Sequence, residues 1–287
     1  MAWSIKKIYP VEGLTLFYAV VTALYILVWP GAAARQMLFP LLCARLLVIV
    51  VVLLFVFMPL TRIVAFIRQI CPLGLILYWY PETYYINSCL FSNLDGFFMA
   101  IDGSWFGCQP CLEFSRLMPW IWFGELMNFA YLSFYFIIGG TVLYLYFKDK
   151  IMGAKAAFIL LFSFCFYYFL FILLPVAGPQ FYLPSPDNSI PYSWPFGAIM
   201  RFLQELGEKP TGAFPSSHVG ITVICLLILF FHRCRKYCYY LLPLAILLMA
   251  STVYIKAHYL IDVFAGLLTA PLFYWLGVRV WKKVCKV

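Results

Sequence analysis

The sequence predicts an all-α, polytopic transmembrane bundle of about six to eight helices. Hydrophobic residues make up 65% of the 287 positions and charged residues only 11%, against about 25% charged in ordinary soluble domains. Several runs approach or exceed the roughly 18–20 apolar residues that cross a hydrocarbon core. These runs do not alternate between polar and apolar residues, as the strands of a β-barrel would. Backbone groups in lipid need internal hydrogen bonds, so the runs are expected to be helices.

Seven segments are the clearest predicted spans: residues 14–29, 39–59, 121–147, 154–175, 216–231, 238–256 and 260–280. A shorter apolar stretch at 69–80 is either a further crossing or a re-entrant segment. The first run is too long for a cleavable signal peptide and leads through Pro30-Gly31 into more apolar sequence. We therefore expect it to be retained.

The chain is predicted to form one domain with three parts: an N-terminal membrane hairpin (1–80), an outer segment (81–120) and a catalytic helical core (121–287). Apolar residues recur at helical spacing in two outer stretches, from Phe91 to Ile101 and from Phe196 to Leu206. Trp and Tyr accompany the first of them. Both stretches are expected to form short helices in the membrane interface.

The net charge of +9 does not indicate a nucleic-acid partner, because the basic residues are grouped beside the spans. Fourteen of the 20 Lys and Arg fall in five clusters: Lys6 and Lys7; Arg62 and Arg68; Lys148, Lys150 and Lys155; Arg233, Arg235 and Lys236; and Arg279, Lys282, Lys283 and Lys286. By the positive-inside rule, both termini and these loops are expected in the cytoplasm. This topology requires the stretch at 69–80 to cross the membrane.

Of the ten cysteines, only Cys108 and Cys111 in the outer segment have the spacing of a pair. A C-x-x-C can be a redox pair or a short disulfide. No second pair stands at metal-ligand spacing, and we interpret the two residues as structural or incidental. The sequence predicts no metal site and no cofactor.

The three histidines differ in their predicted positions. His232 lies in the basic turn 232–236 and is interpreted as an interfacial surface residue. His218 and His258 lie at the outer ends of neighbouring spans, where the segment 174–181 also emerges. The predicted topology brings these three polar pieces together on the non-cytoplasmic face.

His258 and Asp262 are four residues apart, so on a helix they would share a face. A carboxylate there can hold one imidazole nitrogen and leave the other to attack. Charge is costly in this apolar run, which favours a functional role. The alternative is a His–Asp pair that only joins two helices.

Pro215-Ser216-Ser217-His218 opens a neighbouring span. Helix capping alone would explain Ser216. Backbone N–H groups and hydroxyls at a helix start also bind phosphate oxygens. His218 beside them is placed to protonate a leaving oxygen.

The pieces Pro-Ser-x-His and Ser-x6-His-x3-Asp, the latter from Ser251 to Asp262, resemble the second and third signature motifs of the type 2 phosphatidic acid phosphatase superfamily. That superfamily also includes vanadium haloperoxidases. The resemblance implies a phosphohistidine intermediate. His258 would be the nucleophile, Asp262 its orienting partner and His218 the acid and then the base. Ser216, with nearby amides, would form the phosphate cradle.

The phosphatases of that superfamily usually carry Lys and Arg-Pro in the first motif and Arg after the Ser of the third. Here the first-motif region reads Gly178-Pro179-Gln180, with no Lys or Arg from 156 to 200, and Thr252 follows Ser251. Lys256 is the candidate replacement cation. Gln180 and Ser217 complete the predicted phosphate-binding residues.

A cation-poor site suits a phosphodiester, which carries one negative charge, better than a monoester, which approaches two. The run from Tyr254 to Gly266 is similar to the inositol phosphorylceramide synthase and sphingomyelin synthase branch. The expected function is head-group transfer from a phospholipid to a lipid alcohol such as ceramide, with membrane lipids as substrate and acceptor.

Two alternatives remain at this point. One is a lipid phosphate phosphatase that hydrolyses phosphatidic acid or a related monoester. The other, more distant, is a proton-coupled transporter, which would place charged groups at mid-membrane in several spans. The sequence indicates neither the head group nor the oligomeric state.

Overall fold

The structure, a computed structural model, describes residues 8–29, 32–87, 90–187 and 194–286, apart from the side chains of Ala32 and Leu206. Lys6 and Lys7, which were expected in a cytoplasmic cluster, lie outside these residues. The regular structure within the described residues is entirely helical, which confirms the predicted fold class.

The helices follow one another through mostly short connections. The N-terminal half of the chain contains α1 (Pro10–Val28), α2 (Ala32–Gln36), α3 (Leu38–Phe57), α4 (Arg62–Ile70), α5 (Ile76–Ile86), α6 (Asp95–Phe106) and α7 (Pro110–Leu117). The C-terminal half contains α8 (Ile121–Lys148), α9 (Lys150–Leu173), α10 (Pro179–Tyr182), α11 (Phe196–Gly207), α12 (Ser217–Phe231), α13 (Arg235–Tyr254) and α14 (Leu260–Cys285).

Seven helical segments of the described chain are long and apolar enough to cross a membrane, and α12 is a shorter apolar helix. One of the seven is Arg62–Ile86, in which a 3₁₀ turn at Cys71–Leu75 joins α4 to α5. Pro72 and Gly74 lie in this turn, and both residues disfavour an uninterrupted α-helix. The ambiguous stretch at 69–80 is therefore the middle of a crossing-length segment.

Helix α9 lies at the centre of the bundle. It packs against α8, α12 and α14, and 78% of its most apolar window is buried, the largest share among the spanning segments of the described chain. Leu160, Leu161 and Phe171 are completely buried in it. This packing gives the loops at the two ends of the bundle a rigid support.

Two buried ion pairs join the N-terminal helices. Arg68 in α4 contacts Glu12 in α1 at 2.6 Å, and Arg45 in α3 contacts Glu82 in α5 at 3.2 Å. Thr22 also accepts from Arg45 at 3.0 Å. Arg68 was expected in a cytoplasmic loop and Glu82 in the outer segment, whereas both lie inside the spanning segment Arg62–Ile86, so the expected loop positions are wrong. Their charges are compensated by partners far away in sequence, so they can lie inside spans.

The outer stretches form helices, as predicted, but α6 packs differently from a simple interfacial helix. Its buried side chains include two carboxylates, Asp95 and Asp102, together with Phe98. Phe97 and Trp105 are exposed. Helix α6 therefore covers the loops at one end of the bundle with an acidic face.

Helix α11 is amphipathic, as its sequence predicted. Met200 is buried, whereas Phe202 is exposed. The Glu125 carboxylate of α8 accepts hydrogen bonds from the backbone N–H groups of Phe196 and Gly197 at 2.8 and 3.0 Å. Glu125 thus stabilises the N-terminus of α11. In the neighbouring outer segment, Cys108 is exposed, Cys111 is buried, and both are free thiols.

Candidate active site

Three loops meet at one end of the bundle through backbone hydrogen bonds. The N–H of Gln180 donates to the Lys256 carbonyl at 2.8 Å, and that of Ser216 donates to the Asp262 carbonyl at 3.0 Å. A third bond joins Ala213 to Val176 at 3.1 Å. The predicted convergence of the segment after α9, the start of α12 and the start of α14 is confirmed.

Two glycines allow these loops to approach so closely. A Cβ at Gly178, whose φ is +95°, would lie 2.6 Å from the Ala257 carbonyl oxygen. A Cβ at Gly266 would lie 2.6 Å from the Ser216 carbonyl oxygen. Both distances are too short for a side chain, so any other residue would force the histidine-bearing loops apart.

His258 precedes α14, and Tyr259 is the N-cap of that helix. The predicted common helical face for His258 and Asp262 is therefore wrong, although the two side chains do lie close together. The nearest Asp262 oxygen is 3.5 Å from His258 Nδ1. The same oxygen accepts from the Tyr259 N–H at 2.9 Å, because Asp262 caps the first turn of its own helix.

The Ala213 carbonyl oxygen lies closer to the His258 ring, 2.7 Å from Nδ1. A carbonyl can only accept, so Nδ1 carries the proton and Nε2 keeps its lone pair in the neutral ring. Burial lowers the pKa of His258 to about 4, although the nearby Glu208 opposes this shift. His258 is thus a neutral imidazole with a fixed tautomer at physiological pH.

His218 faces His258 across the site. Its Nδ1 lies 3.4 Å from His258 Nε2. The Tyr131 ring stacks on His218 with centroids 4.5 Å apart, and the Phe134 ring lies 4.4 Å away. The two rings from α8 limit the orientations open to the His218 imidazole.

Two carboxylates of α6 position these loops, and sequence reasoning missed them. Asp95 accepts from the N–H groups of Ala177 and Gly178 at 2.7 Å each and from the Tyr259 hydroxyl at 3.0 Å. Asp102 accepts from the N–H groups of Leu260 and Ile261 at 2.8 and 3.0 Å. The signal in the sequence was two acids seven residues apart in an apolar stretch, which puts them on one helical face.

A cavity of about 230 Å³ opens beside His218 and is walled by α5, α8, α9, α11 and α12. Its wall is mostly apolar. Its polar side chains are three tyrosines, one carboxylate, one hydroxyl and one imidazole: Tyr80, Tyr135, Tyr168, Glu208, Ser217 and His218. No Lys or Arg occurs among the described residues that line it.

Glu208 is the second feature that the sequence did not reveal. Its Oε2 accepts from Gln180 Nε2 at 2.8 Å, and Gln180 Oε1 accepts from Gln204 Nε2 at 3.1 Å. Burial raises the pKa of Glu208, while the bond from Gln180 opposes this shift. The sequence does not indicate that Glu208 lines the cavity, because Glu208 lies between a helix and a loop with no motif around it.

The predicted phosphate-binding residues lie in different surroundings. Ser217 lines the cavity, whereas the Ser216 hydroxyl accepts from the Val219 N–H at 3.4 Å as the cap of α12. Gln180 is half-buried and reaches the cavity only through Glu208. The structure does not bring Lys256 into the cavity wall. It is buried near Cys111 and Asp187, which favour its charge, while desolvation lowers its pKa.

The described residues contain no group of three or more His, Cys, Asp or Glu side chains arranged to hold a metal ion. The carboxylates of Asp95, Asp102 and Asp262 instead accept backbone N–H groups, as described above. These three carboxylates therefore fix the loops and the helix start that surround His258.

The fold and the site define a multi-pass helical membrane protein with a histidine pair beside a cavity at one end. A family model described as the PAP2 superfamily matches residues 99–276, more than half of the chain and both histidines. The chain belongs to the PAP2 superfamily. This membership supports phosphoester chemistry of the phosphatase or phosphotransferase type on membrane lipids. No curated protein and no solved structure matches the chain.

Proposed function

We propose that this protein is a lipid phosphoesterase that acts through a phosphohistidine on His258. We further propose that it transfers a phospho-head group, of the inositol-phosphate type, from a phospholipid to a lipid alcohol such as ceramide. One observation carries the choice of transfer from a diester: the cavity wall beside His218 has a carboxyl group and, among its described residues, no Lys or Arg.

In the first step, the lone pair of His258 Nε2 attacks the phosphorus of the donor lipid. A nitrogen–phosphorus bond forms, and the bond from phosphorus to the diacylglycerol oxygen breaks. That oxygen takes a proton from His218, which must therefore be protonated once the anionic lipid is bound. The head group stays on the phosphorus, now bound to His258.

The second step reverses these movements with a new alcohol. The acceptor hydroxyl gives its proton to the neutral His218, and its oxygen attacks the phosphorus. The nitrogen–phosphorus bond breaks, and its electron pair returns to Nε2. Both histidines regain their starting protonation, and a new head-grouped lipid leaves.

The neighbours of His258 Nδ1 support its role as the nucleophile. When Nε2 bonds to phosphorus, the ring keeps the proton on Nδ1 and becomes positively charged. The Ala213 carbonyl at 2.7 Å and the Asp262 carboxylate at 3.5 Å stabilise that charge. Asp262 thus acts on the charged intermediate, and the carbonyl holds the tautomer.

An in-line displacement needs the attacking and leaving atoms on opposite sides of the phosphorus. The two imidazoles are only 3.4 Å apart, so a phosphoryl group has to separate them. The cavity that His218 lines offers its ring room to move. We expect the distance between His258 Nε2 and His218 Nδ1 to increase when a lipid binds.

The electrostatics of the cavity support a diester over a monoester. Glu208 adds a negative charge whenever it is ionised, and a second charge on the substrate would be poorly compensated in this desolvated place. A diester with its single charge avoids most of this cost. Hydroxyl groups of a polyol head group would match the Glu208 carboxyl and the Ser217 hydroxyl, which line the cavity.

The second candidate function, hydrolysis of a lipid phosphate monoester, uses the same histidines with water as acceptor. Membership of the superfamily favours it equally. A transporter is less well supported: the two ion pairs buried between spans, Arg45–Glu82 and Glu12–Arg68, join N-terminal helices.

The deciding experiment uses the purified protein in mixed micelles with phosphatidylinositol, phosphatidic acid and ceramide, and it follows released phosphate and new lipids together. We expect ceramide-dependent head-group transfer from the diester, without phosphate release. Phosphate release from phosphatidic acid, unaffected by ceramide, would establish the phosphatase instead. The His258→Gln variant serves as the blank in both assays.

We also propose that the histidine end faces the non-cytoplasmic side and that both termini lie in the cytoplasm. The basic residues near the ends of α8, α12 and α14, away from the histidines, support this orientation. Labelling of the exposed Cys108 with a membrane-impermeant maleimide in intact cells tests it, with a Cys108→Ser variant as control.

A further inference from the structure

A second polar cavity lies at the opposite end of the bundle, where α8 ends and α12 turns into α13. The 15 residues of α12 separate it from the histidines by about 22 Å along the helix axis. We propose that this cavity binds the phosphate-monoester head group of an anionic membrane lipid. This inference goes beyond the proposed function and does not depend on it.

Four cationic side chains line this cavity, which has a volume of about 520 Å³: Lys148, Arg233, Arg235 and Lys236. Its other walls are Tyr144, Cys234 and Tyr237. No carboxylate occurs among these lining residues. The nearest acid along the chain, Asp149, is occupied as the cap of α9, where it accepts from the N–H groups of Ile151 and Met152 at 2.8 and 2.9 Å.

Neighbouring side chains contact two of the four cations, Lys148 and Arg235. Lys148 Nζ lies 3.3 Å from the sulfur of the buried Cys234, so the end of α8 is fastened to the turn before α13. Arg235 lies over the Phe230 ring at 4.7 Å. The rings of Tyr144 and Tyr237 pack with centroids 4.1 Å apart. All four cations are exposed, but they line one concave cavity and are not spread over a flat surface.

The charge and position of the cavity identify its ligand. Four positive groups on one cavity favour an anion with more than one charge, and a phosphate monoester carries nearly two at pH 7. The cavity lies where spanning helices end, which is the level of lipid head groups. Basic pockets between transmembrane helices are known to hold such head groups. A lipid also gains affinity from its chains beside the exposed Tyr240 and Leu242 of α13.

The test uses the full-length protein in phosphatidylcholine nanodiscs with a photoactivatable phosphatidic acid. Cross-linked peptides are mapped by mass spectrometry, so labelling at this cavity is separated from labelling at the histidine end. We expect saturable labelling of the segments 144–148 and 233–237. Dioctanoyl phosphatidic acid should compete at this position, and dioctanoyl phosphatidylglycerol, a diester with the same chains, should compete much less.

A matched pair of variants separates the cavity from the general positive surface. The triple variant Arg233→Gln, Arg235→Gln, Lys236→Gln removes three charges from the cavity. The triple variant Lys282→Gln, Lys283→Gln, Lys286→Gln removes three exposed charges from the α14 end on the same side. We expect at least about a tenfold loss of labelling affinity in the first and less than about threefold in the second.

Equal losses in the two variants would mean that a diffuse surface potential attracts the lipid, which overturns the proposal. Equal competition by the diester lipid would also overturn it. Competition by inorganic phosphate as strong as that by dioctanoyl phosphatidic acid would show that the site binds the phosphate group alone, against our assignment to a lipid. If the cavity variant does not fold, as judged by thermal melting, the competition series on the unaltered protein decides the question.

Discussion

The two ends of the bundle each contain a cavity, and the charged residues that line the two cavities have opposite signs. At the histidine end, the described cavity wall has no Lys or Arg and includes the Glu208 carboxyl. At the other end, four cations line one cavity without a carboxylate among the lining residues. A cationic cavity suits tight and lasting binding of an anion. A hydrogen-bonding cavity without Lys or Arg among its described wall residues, beside a nucleophile, suits turnover, because a substrate that is bound less tightly than its transition state reacts faster.

The loops at the two ends also differ in how they are built. Buried carboxylates and backbone hydrogen bonds fix the loops around His258, whereas a sulfur contact and aromatic rings hold the turn around Arg235. Substitutions at one end of the bundle should therefore leave the activity and binding at the other end unaffected.

The largest effect is expected for His258→Gln, which removes the nucleophile but keeps a side chain of similar size. Turnover should fall by at least about 10³-fold, while lipid labelling at the basic cavity stays unchanged. The control is His232→Gln at the other end, which should retain nearly all activity. More than a tenth of the original activity in His258→Gln would exclude this residue as the nucleophile.

A smaller but clear effect is expected for Asp102→Ala. It leaves the part-buried N–H groups of Leu260 and Ile261 without their acceptor, at a cost of about 2–3 kcal/mol. The thermal midpoint should fall, and activity should fall with it as the start of α14 shifts. Glu113→Ala, which breaks the exposed pair with Arg116, should change stability by less than about 1 kcal/mol. Similar midpoints in the two variants would contradict the anchoring role of Asp102.

The pH dependence of activity should report the burial of His258. Protonation removes its lone pair, so the acid limb of the kcat/KM profile should fall as the pH drops through about 4, the lowered pKa of this group. If His258 were exposed, the acid limb would fall at a pH of about 6.5. The Glu208 charge raises the pKa of His258. In Glu208→Gln this charge is absent, so the acid limb of the kcat/KM profile should move to still lower pH. An unchanged limb would show that the two groups do not interact.

The smallest effect is expected for Lys256→Gln. Its charge is near Cys111 and Asp187, and it does not line the cavity, so KM should change by less than about threefold. A tenfold increase in KM at unchanged thermal midpoint would instead restore the phosphate-binding role that the sequence predicted for Lys256.

Hydropathy and spacing predicted the helical class and the meeting of the histidine-bearing segments, because span parity fixes which ends lie together. They could not predict the paired charges inside α1, α3, α4 and α5. A single charged residue such as Arg45 is costly in lipid, and the sequence does not indicate which distant residue compensates its charge. The status of the stretch at 69–80 was ambiguous for the same reason, since Arg68 seemed to mark a loop.

The motif also led to the wrong local geometry around His258. Four-residue spacing to Asp262 predicted a shared helical face, but Tyr259 begins the helix, and the Ala213 carbonyl is the closest partner of Nδ1. A backbone acceptor from a distant loop leaves no mark in the sequence. Asp95 and Asp102 did leave one, in their seven-residue spacing, but the apolar residues around them predicted only a helix in the membrane interface.

The close approach at Gly178 and Gly266 has a mechanical consequence. The histidine-bearing loops are joined backbone to backbone, so they form one rigid block that does not open for a bulky lipid. Helix α11 is attached differently: side chains such as Glu125 and Gln204 hold it, and its Phe202 faces outward. A two-chain substrate arriving sideways from the bilayer would therefore displace α11, while the backbone of the histidine-bearing loops stays in place and only the His218 ring turns.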